Sequence, residues 1–296
     1  MGNVGDAMSK SASAGKSLPP RSGARGGAGF PITPLARDFP GGYRVPQHRH
    51  EHAQLIFASS GVMRIITPDG IWVAPPMRAV WVPAAVDHEI LVSRAVQLRT
   101  LLIDPEVRAS LPRQCCVIEV SPLLRELIIR VSELGPALAH NAHAEHFLAL
   151  IFDEIKASET VPLHVPMPSD PRLIRICRGI LNHPSDKRSC GQWGRTVGAS
   201  GRTLERRFQL QTGISFGAWR RQVRLLAALD QLAINTPVAN IALDLGYRSA
   251  SAFTVMFKRA LGQRPTHFFS QARAPLPTVE EVRAARQNAH ALGMLA

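Results

Sequence analysis

Cysteine is scarce. The chain has four in 296 residues: Cys115 and Cys116 are adjacent, Cys177 and Cys190 stand apart, and there is no Cys-x-x-Cys pair. This excludes a secreted disulfide scaffold and points to a reducing, cytoplasmic setting. No apolar run approaches the roughly 20 residues that cross a bilayer, so no helical membrane anchor is expected. The first 29 residues have no continuous hydrophobic segment and are rich in Gly, Ser and Ala. They read as a disordered tail rather than a signal peptide. Acidic side chains are the last scarcity, and it is local. Residues 171–270 hold 16 Lys and Arg against 4 Asp and Glu, whereas residues 30–170 hold 12 against 15. Nearly all of the net charge of +13 therefore sits in the C-terminal part, which suggests a polyanion partner there.

From Gln54 to Val120 the sequence consists of short apolar runs broken by turn residues: QLIFASSG, VMRIITPDG, IWVAPP, AVWVPAAVDH, EILV, QLRTLLI and QCCVIEV. Spacing of this kind predicts a small antiparallel sandwich or barrel, with the domain taken as 30–120. The period then becomes helical. Leu124, Leu127, Ile128 and Val131 share one face, and Phe147, Leu150, Ile151 and Ile155 share another, so 121–157 reads as a helical segment. Those helices can pair with each other, cap the barrel or form a dimer interface. The proline-rich stretch 158–170 reads as a linker that ends in the helix-start signal Ser169-Asp170-Pro171. An all-helical domain is expected over 171–270 and a tail over 271–296.

Sliding the C-terminal domain along itself by 49 positions puts Leu204 on Phe253, Phe208 on Phe257 and Gly213 on Gly262. Each copy reads as a helix, a Gly-containing turn, a second helix with apolar residues four apart, and a closing Gly, which makes two helix-turn-helix units. The 3.6-residue period sets the outer face of each second helix. In the first copy it carries Arg202, Glu205, Arg206 and Gln209; in the second, Ser251, Thr254, Val255 and Lys258. Arg can pair with guanine, Gln with adenine, and Val can meet a thymine methyl, so these residues suit base reading in a major groove. Ser200, Arg248, Ser249 and Arg264 flank the helix starts and suit phosphate positioning. Between the units, Ser215 to Ala233 reads as one long helix.

The text NIALDLGYRSASAFTVMFKRALGQRPTHF resembles the DNA-binding domain of the AraC/XylS transcription regulators across residues 171–270. The resemblance implies seven helices, with recognition helices at about 201 to 211 and 250 to 261. It also implies double-stranded promoter DNA as partner, RNA polymerase where the protein activates, and a small-molecule effector. Gly191, Trp193 and Gly194 stand where the family usually has better helix formers, so the first supporting helix is expected to be weaker by roughly 1 kcal/mol per Gly. Val255 replaces a residue that is often polar or basic.

Gly42-x5-His48-x-His50-x3-Gln54-x6-Gly61, followed by Pro83-x4-His88, resembles the two histidine motifs of the cupin barrels. Gln54 stands where an enzyme of that superfamily has a Glu ligand, and Ala85 replaces a Gly. His48 and His50 alternate onto one strand face and can join His88 around a borderline divalent metal. Alternatively they line a metal-free ligand pocket, or carry no function. The fold expected overall is α+β: an N-terminal cupin-like jelly-roll barrel with helices, then an all-α domain with two helix-turn-helix units. The segment HRHEHAQLIFASSGVMRIITPDGIWVAPPMRAVWVPAAVDHEI is similar to the sensor domain of the AraC-type subgroup whose sensor is a cupin, which implies one-component regulation, by activation or repression, of a neighbouring transporter or metabolic gene. The competing readings are a metal-dependent cupin enzyme tethered to nucleic acid by a basic domain, and an architectural DNA binder without ligand control.

Overall fold

In the stretch Met63–Thr67, Met63, Ile65 and Thr67 are buried while Arg64 and Ile66 are half-exposed. This period-two pattern belongs to a strand with one face on a core. A computed structural model, describing residues 30–104 and 111–269, arranges such strands as a sandwich of two five-stranded antiparallel sheets. The strands are β1 (Ile32–Phe39), β2 (Arg44–His48), β3 (Ala53–Ser60), β4 (Met63–Thr67), β5 (Gly70–Ala74), β6 (Arg78–Val82), β7 (His88–Val92), β8 (Val96–Ile103), β9 (Cys116–Glu119) and β10 (His164–Pro166). One sheet has the order β1-β8-β3-β6-β9 and the other β10-β5-β4-β7-β2. The apolar runs from Gln54 onward thus form the expected strands, and β1 and β2 precede them.

Strand β3 is buried along most of its length because both of its faces are covered. Ile56 and Ala58 point into the sandwich with Val80 and Val82. Leu55 and Phe57 point the other way, onto helices α1 (Pro122–Leu134) and α2 (Ala144–Ala157) through Leu124, Ile128, Val131 and Ile151. A 3-10 turn at Gly135–His140 joins these helices. They pack on each other and on the sheet, which settles two of the three arrangements open from the sequence. Each such side chain contributes about 1.5–3 kcal/mol on burial.

The stretch 158–170, expected as a linker, is instead built into the sandwich. Thr160 bridges Ile118, and β10 pairs antiparallel with β5, with His164 opposite Trp72. Leu163 and Val165 are fully buried, and the His164 ring stacks on Trp72 with centroids 3.7 Å apart. Prolines do not prevent this, because an edge strand tolerates residues that cannot donate to a ladder. The alternation was hidden in the sequence because only three residues pair.

The C-terminal domain comprises α3 (Pro171–Asn182), α4 (Cys190–Val197), α5 (Gly201–Thr212), α6 (Phe216–Ala233), α7 (Val238–Asp244), α8 (Ala250–Leu261) and α9 (Pro265–Phe268), seven helices in agreement with the resemblance. It is not hung loosely from the sandwich. A single apolar cluster runs from Ile65, Val73 and Val165 of the sheets to Trp219 and Phe208 of the helices. The Trp219 indole N–H donates to the Pro166 carbonyl at 2.7 Å. The tails expected at 1–29 and 271–296 lie outside the described residues.

Candidate DNA interface and barrel histidine cluster

Helices α5 and α8 are offset by the same 49 residues as the sequence repeat. Ser200 caps the first, accepting the Thr203 amide at 3.2 Å, and Ser249 caps the second, accepting the Ala252 amide at 3.2 Å. Each ends at a left-handed glycine, Gly213 or Gly262. Leu204, Phe208, Phe253 and Phe257 are fully buried beneath them. Phe208 meets Phe216 and Trp219 edge-on, and Phe257 meets Phe268 edge-on.

With the inward faces fixed, the outward ones follow. Arg202, Glu205, Arg206 and Gln209 are exposed on α5, and Ser251, Val255 and Lys258 are exposed on α8, where Thr254 is half-buried. The helices thus present each set together on one outer face. Two details refine the expectation. The Gln209 side-chain amide donates to the Gly213 carbonyl at 3.1 Å, folding back on its own helix end. The Ser200 and Ser249 hydroxyls accept backbone amides as caps, which leaves each hydroxyl its own proton to donate beside the first backbone amides of its helix. Arg248 and Arg264 are exposed beside the starts of α8 and α9.

The glycines that looked like weak points in α4 have a packing role. A Cβ on Gly194 would lie 2.3 Å from the Ala199 carbonyl oxygen, and one on Gly201 would lie 2.8 Å from Cα of Gly191. These contacts let α4 and α5 cross at backbone distance. Trp193 packs beneath Gly179, and the Arg188 guanidinium lies 3.5 Å over its ring.

In the sandwich, His48 is the last residue of β2, and His50 lies in the loop beyond it rather than on the same strand face as expected. The loop nevertheless brings the two together with His88 at the start of β7. Ligand atoms of all three lie within 4.8 Å of one another, and among the described residues this is the one cluster of metal-ligand type found. Gln54 on β3 joins them: its side-chain oxygen is 3.1 Å from His50 Nε2 and 3.0 Å from His88 Nε2. Burial, the largest effect, with a smaller push from His48 and His50, lowers the His88 pKa to about 4, so this ring is neutral at pH 7.

Sequence reasoning missed Thr100, whose hydroxyl accepts from the Gln54 amide at 2.9 Å and donates to the Leu55 carbonyl at 2.9 Å. A lone buried Thr in the apolar run QLRTLLI was the available signal. His140, His143 and His146 are exposed and form no cluster of this kind. Burial pushes the Cys115 thiol up to about 12 and Cys116 up to about 11, which makes both poor nucleophiles.

Comparison with known proteins matches residues 30–161 to the AraC-like ligand binding domain and residues 193–271 to a helix-turn-helix domain. The chain is 32% identical over 232 residues to the HTH-type transcriptional regulator NimR of Escherichia coli K12, covering 78% of this chain and 85% of NimR. It is 27% identical over 140 residues to the HTH-type transcriptional regulator RipA of Corynebacterium diphtheriae, covering 47% of this chain and 40% of RipA. Among solved structures, fatty-acid-bound ToxT of Vibrio cholerae aligns over 80% of this chain and 94% of its own, at 11% identity and a TM-score of 0.34. With a ligand-binding match on the sandwich, a helix-turn-helix match on the domain of the repeat, and NimR aligned through both, the chain belongs to the AraC family of DNA-binding transcription regulators.

Proposed function

We propose that the chain is a one-component regulator in which the sandwich senses a small effector and α5 and α8 read promoter DNA in successive major grooves. The observation that carries this reading is the duplicated helix itself: two buried aromatic or aliphatic pairs, two serine caps and two exposed polar faces, 49 residues apart. Arg202, Glu205, Arg206 and Gln209 read bases from α5, and Ser251, Thr254, Val255 and Lys258 read them from α8. Ser200, Arg248, Ser249 and Arg264, with the first backbone amides of α5 and α8, hold phosphates. Helix α6 spans 18 residues, about 27 Å at 1.5 Å per residue, in keeping with major grooves about 34 Å apart on one DNA face.

The setting is the cytoplasm, and the target is a neighbouring transporter or metabolic gene. RNA polymerase is the further partner where the protein activates. Leu123 on α1 and Leu150 on α2 remain 47% and 45% exposed, which supports a second copy of the chain pairing through these helices. No catalytic role is assigned, in keeping with relatives that are transcription regulators.

The test is a DNase footprint of the purified protein on DNA flanking its own gene, at physiological salt with excess competitor DNA. Two protected patches about one helical turn apart are expected. Protection seen only at low salt, without sequence preference, would reduce the basic domain to a tether.

A further inference from the structure

Most basic side chains of the helical domain are exposed, but Arg220 and Arg224, one turn apart on α6, are half-buried. Both turn their guanidinium groups onto one loop, residues 183–189, between α3 and α4. Arg220 donates from Nη1 to the Arg188 carbonyl at 2.8 Å and from Nη2 to the Asp186 carbonyl. Arg224 donates from Nε to the Pro184 carbonyl at 2.9 Å and from Nη2 to the Asp186 carbonyl at 3.4 Å. Three alternate carbonyls of the loop thus face one helix. A carbonyl only accepts, and arginine brings several N–H donors in a fixed fork, so two such side chains hold all three. Donors engaged in this way serve the protein and not a DNA phosphate.

The loop belongs to one helix-turn-helix unit and touches the other. On the first side, the Asp186 carboxylate accepts the Arg188 amide at 2.7 Å and the Arg188 Nε at 2.8 Å. The Arg188 guanidinium covers Trp193 of α4, and Ser189 caps that helix through a reciprocal pair of hydrogen bonds with Gln192. On the second side, Gly246, in the turn between α7 and α8, comes so near that a Cβ there would lie 3.1 Å from the Ser185 carbonyl oxygen. Its φ of 76° also suits glycine. Arg224 links the two sides: the group that holds Pro184 also lies 5.5 Å from the centre of the Tyr247 ring. Tyr247 in turn meets Phe253 of α8 edge-on.

We propose that Arg220 and Arg224 are positioning residues that, through this loop, hold the α7–α8 unit at a fixed angle to the α4–α5 unit. The proposal rests on the reading that α5 and α8 bind DNA together. Helix α6 ends at Ala233 and α7 begins at Val238, so non-helical chain joins the second unit to the rod, and that joint leaves its angle free. The loop and its two arginines remove this freedom before DNA arrives. A second grip delivered in the right orientation acts at high effective concentration, because its ordering is already complete in the free protein.

The experiment compares the full-length protein with Arg224→Gln and Arg220→Gln on three duplexes: the complete site protected in the footprint, and two in which one patch or the other is replaced by random sequence. Wild type should bind the complete site far more tightly than either half. Each variant should lose about tenfold or more on the complete site, while its affinity for each half, its salt slope and its circular dichroism spectrum stay as in wild type. Arg220→Gln carries the test if Arg224→Gln does not fold, since it leaves the Tyr247 contact in place. A variant weakened equally on all three duplexes, or with a flatter salt slope, would make these arginines a part of the general fold or DNA contacts; a variant that binds the complete site as wild type does would leave the loop without a positioning role. Each of these results overturns the proposal alone. A wild type that binds the complete site no better than a half refutes the two-unit reading itself, and the proposal with it.

Discussion

Arg64, on strand β4 of the sandwich, forms an ion pair with Asp230, on helix α6 of the DNA-binding domain, so the two domains meet through charge as well as through apolar contact. Burial outweighs the attraction of Arg64 and holds the Asp230 carboxyl above its ordinary range. The pair is mostly covered, with side chains 33% and 21% exposed. Arg64→Ala strands a buried carboxylate and should cost ~2 kcal/mol, a fraction of the several expected for a fully buried pair. The Arg64→Ala, Asp230→Leu double variant should recover much of that. Urea unfolding of all three proteins checks the claim, and equal losses in the single and double variants would refute it.

The same pair sets a pH effect. Asp230 in the folded chain binds its proton more tightly than in the unfolded chain, so its ionised form is a burden above the folded pKa and the burden is lifted as pH falls through it. The penalty of Arg64→Ala should therefore shrink on acidification. A penalty that stays constant from neutral pH down to the ordinary carboxylate range would contradict this.

Asp170 behaves in the opposite sense. Its carboxylate caps α3, pairs with Arg172 at 2.9 Å, and reaches Arg207 of α5 at 3.0 Å. The hydrogen bonds from Arg172 lead the effects that hold its pKa well below the usual carboxylate value of 3.8. The stability it supplies is complete above that value and is lost as pH falls through the lowered folded one. Asp170→Asn keeps the cap but not the charge. Its unfolding free energy should be lower than wild type at neutral pH, with the two converging in acid; parallel profiles would exclude Asp170 as the source.

At the interface between α4 and α5, Gly194→Ala should destabilise by more than 1 kcal/mol, because the new methyl would meet backbone rather than a yielding side chain. Helix propensity alone predicts the reverse, a gain of up to about 1 kcal/mol. The sign of the shift in thermal midpoint decides between them.

On DNA, Arg206→Ala should weaken specific binding by ~1–3 kcal/mol and relax preference at one base position. Arg248→Ala should weaken all duplexes alike and lower the salt slope by about one. Titrations of specific and random duplexes at several salt concentrations separate the two. Identical behaviour of the two variants would reject the division between reading and positioning residues.

Helices α5 and α8 were legible in the sequence because a duplicated 3.6-residue pattern is local, and Ser200, Phe208 and Gly213 each recur 49 positions on as Ser249, Phe257 and Gly262. The seating of one domain on the other was not. Arg64 and Asp230 are 166 residues apart, and nothing local distinguishes a charge that finds a distant partner from one left in water. The histidine spacing was visible, but the role of Thr100 depended on β3 pairing with β8, which sets Ile56 against it and brings its hydroxyl to the Leu55 carbonyl. Gly194 was misread for a similar reason: a propensity scale registers the missing methyl and is blind to the neighbour that occupies its place.

Helix α6 is a rod that does not stretch. Both helix-turn-helix units pack on it, so the reach between them is set by its 18 residues and not by any give in the protein. One base pair added between the two halves of an operator would swing the second half around the duplex axis by about 35°, since a turn takes 10–10.5 base pairs. The protein would have to twist the DNA or release one grip. Operators for this regulator should therefore tolerate altered letters far better than altered spacing.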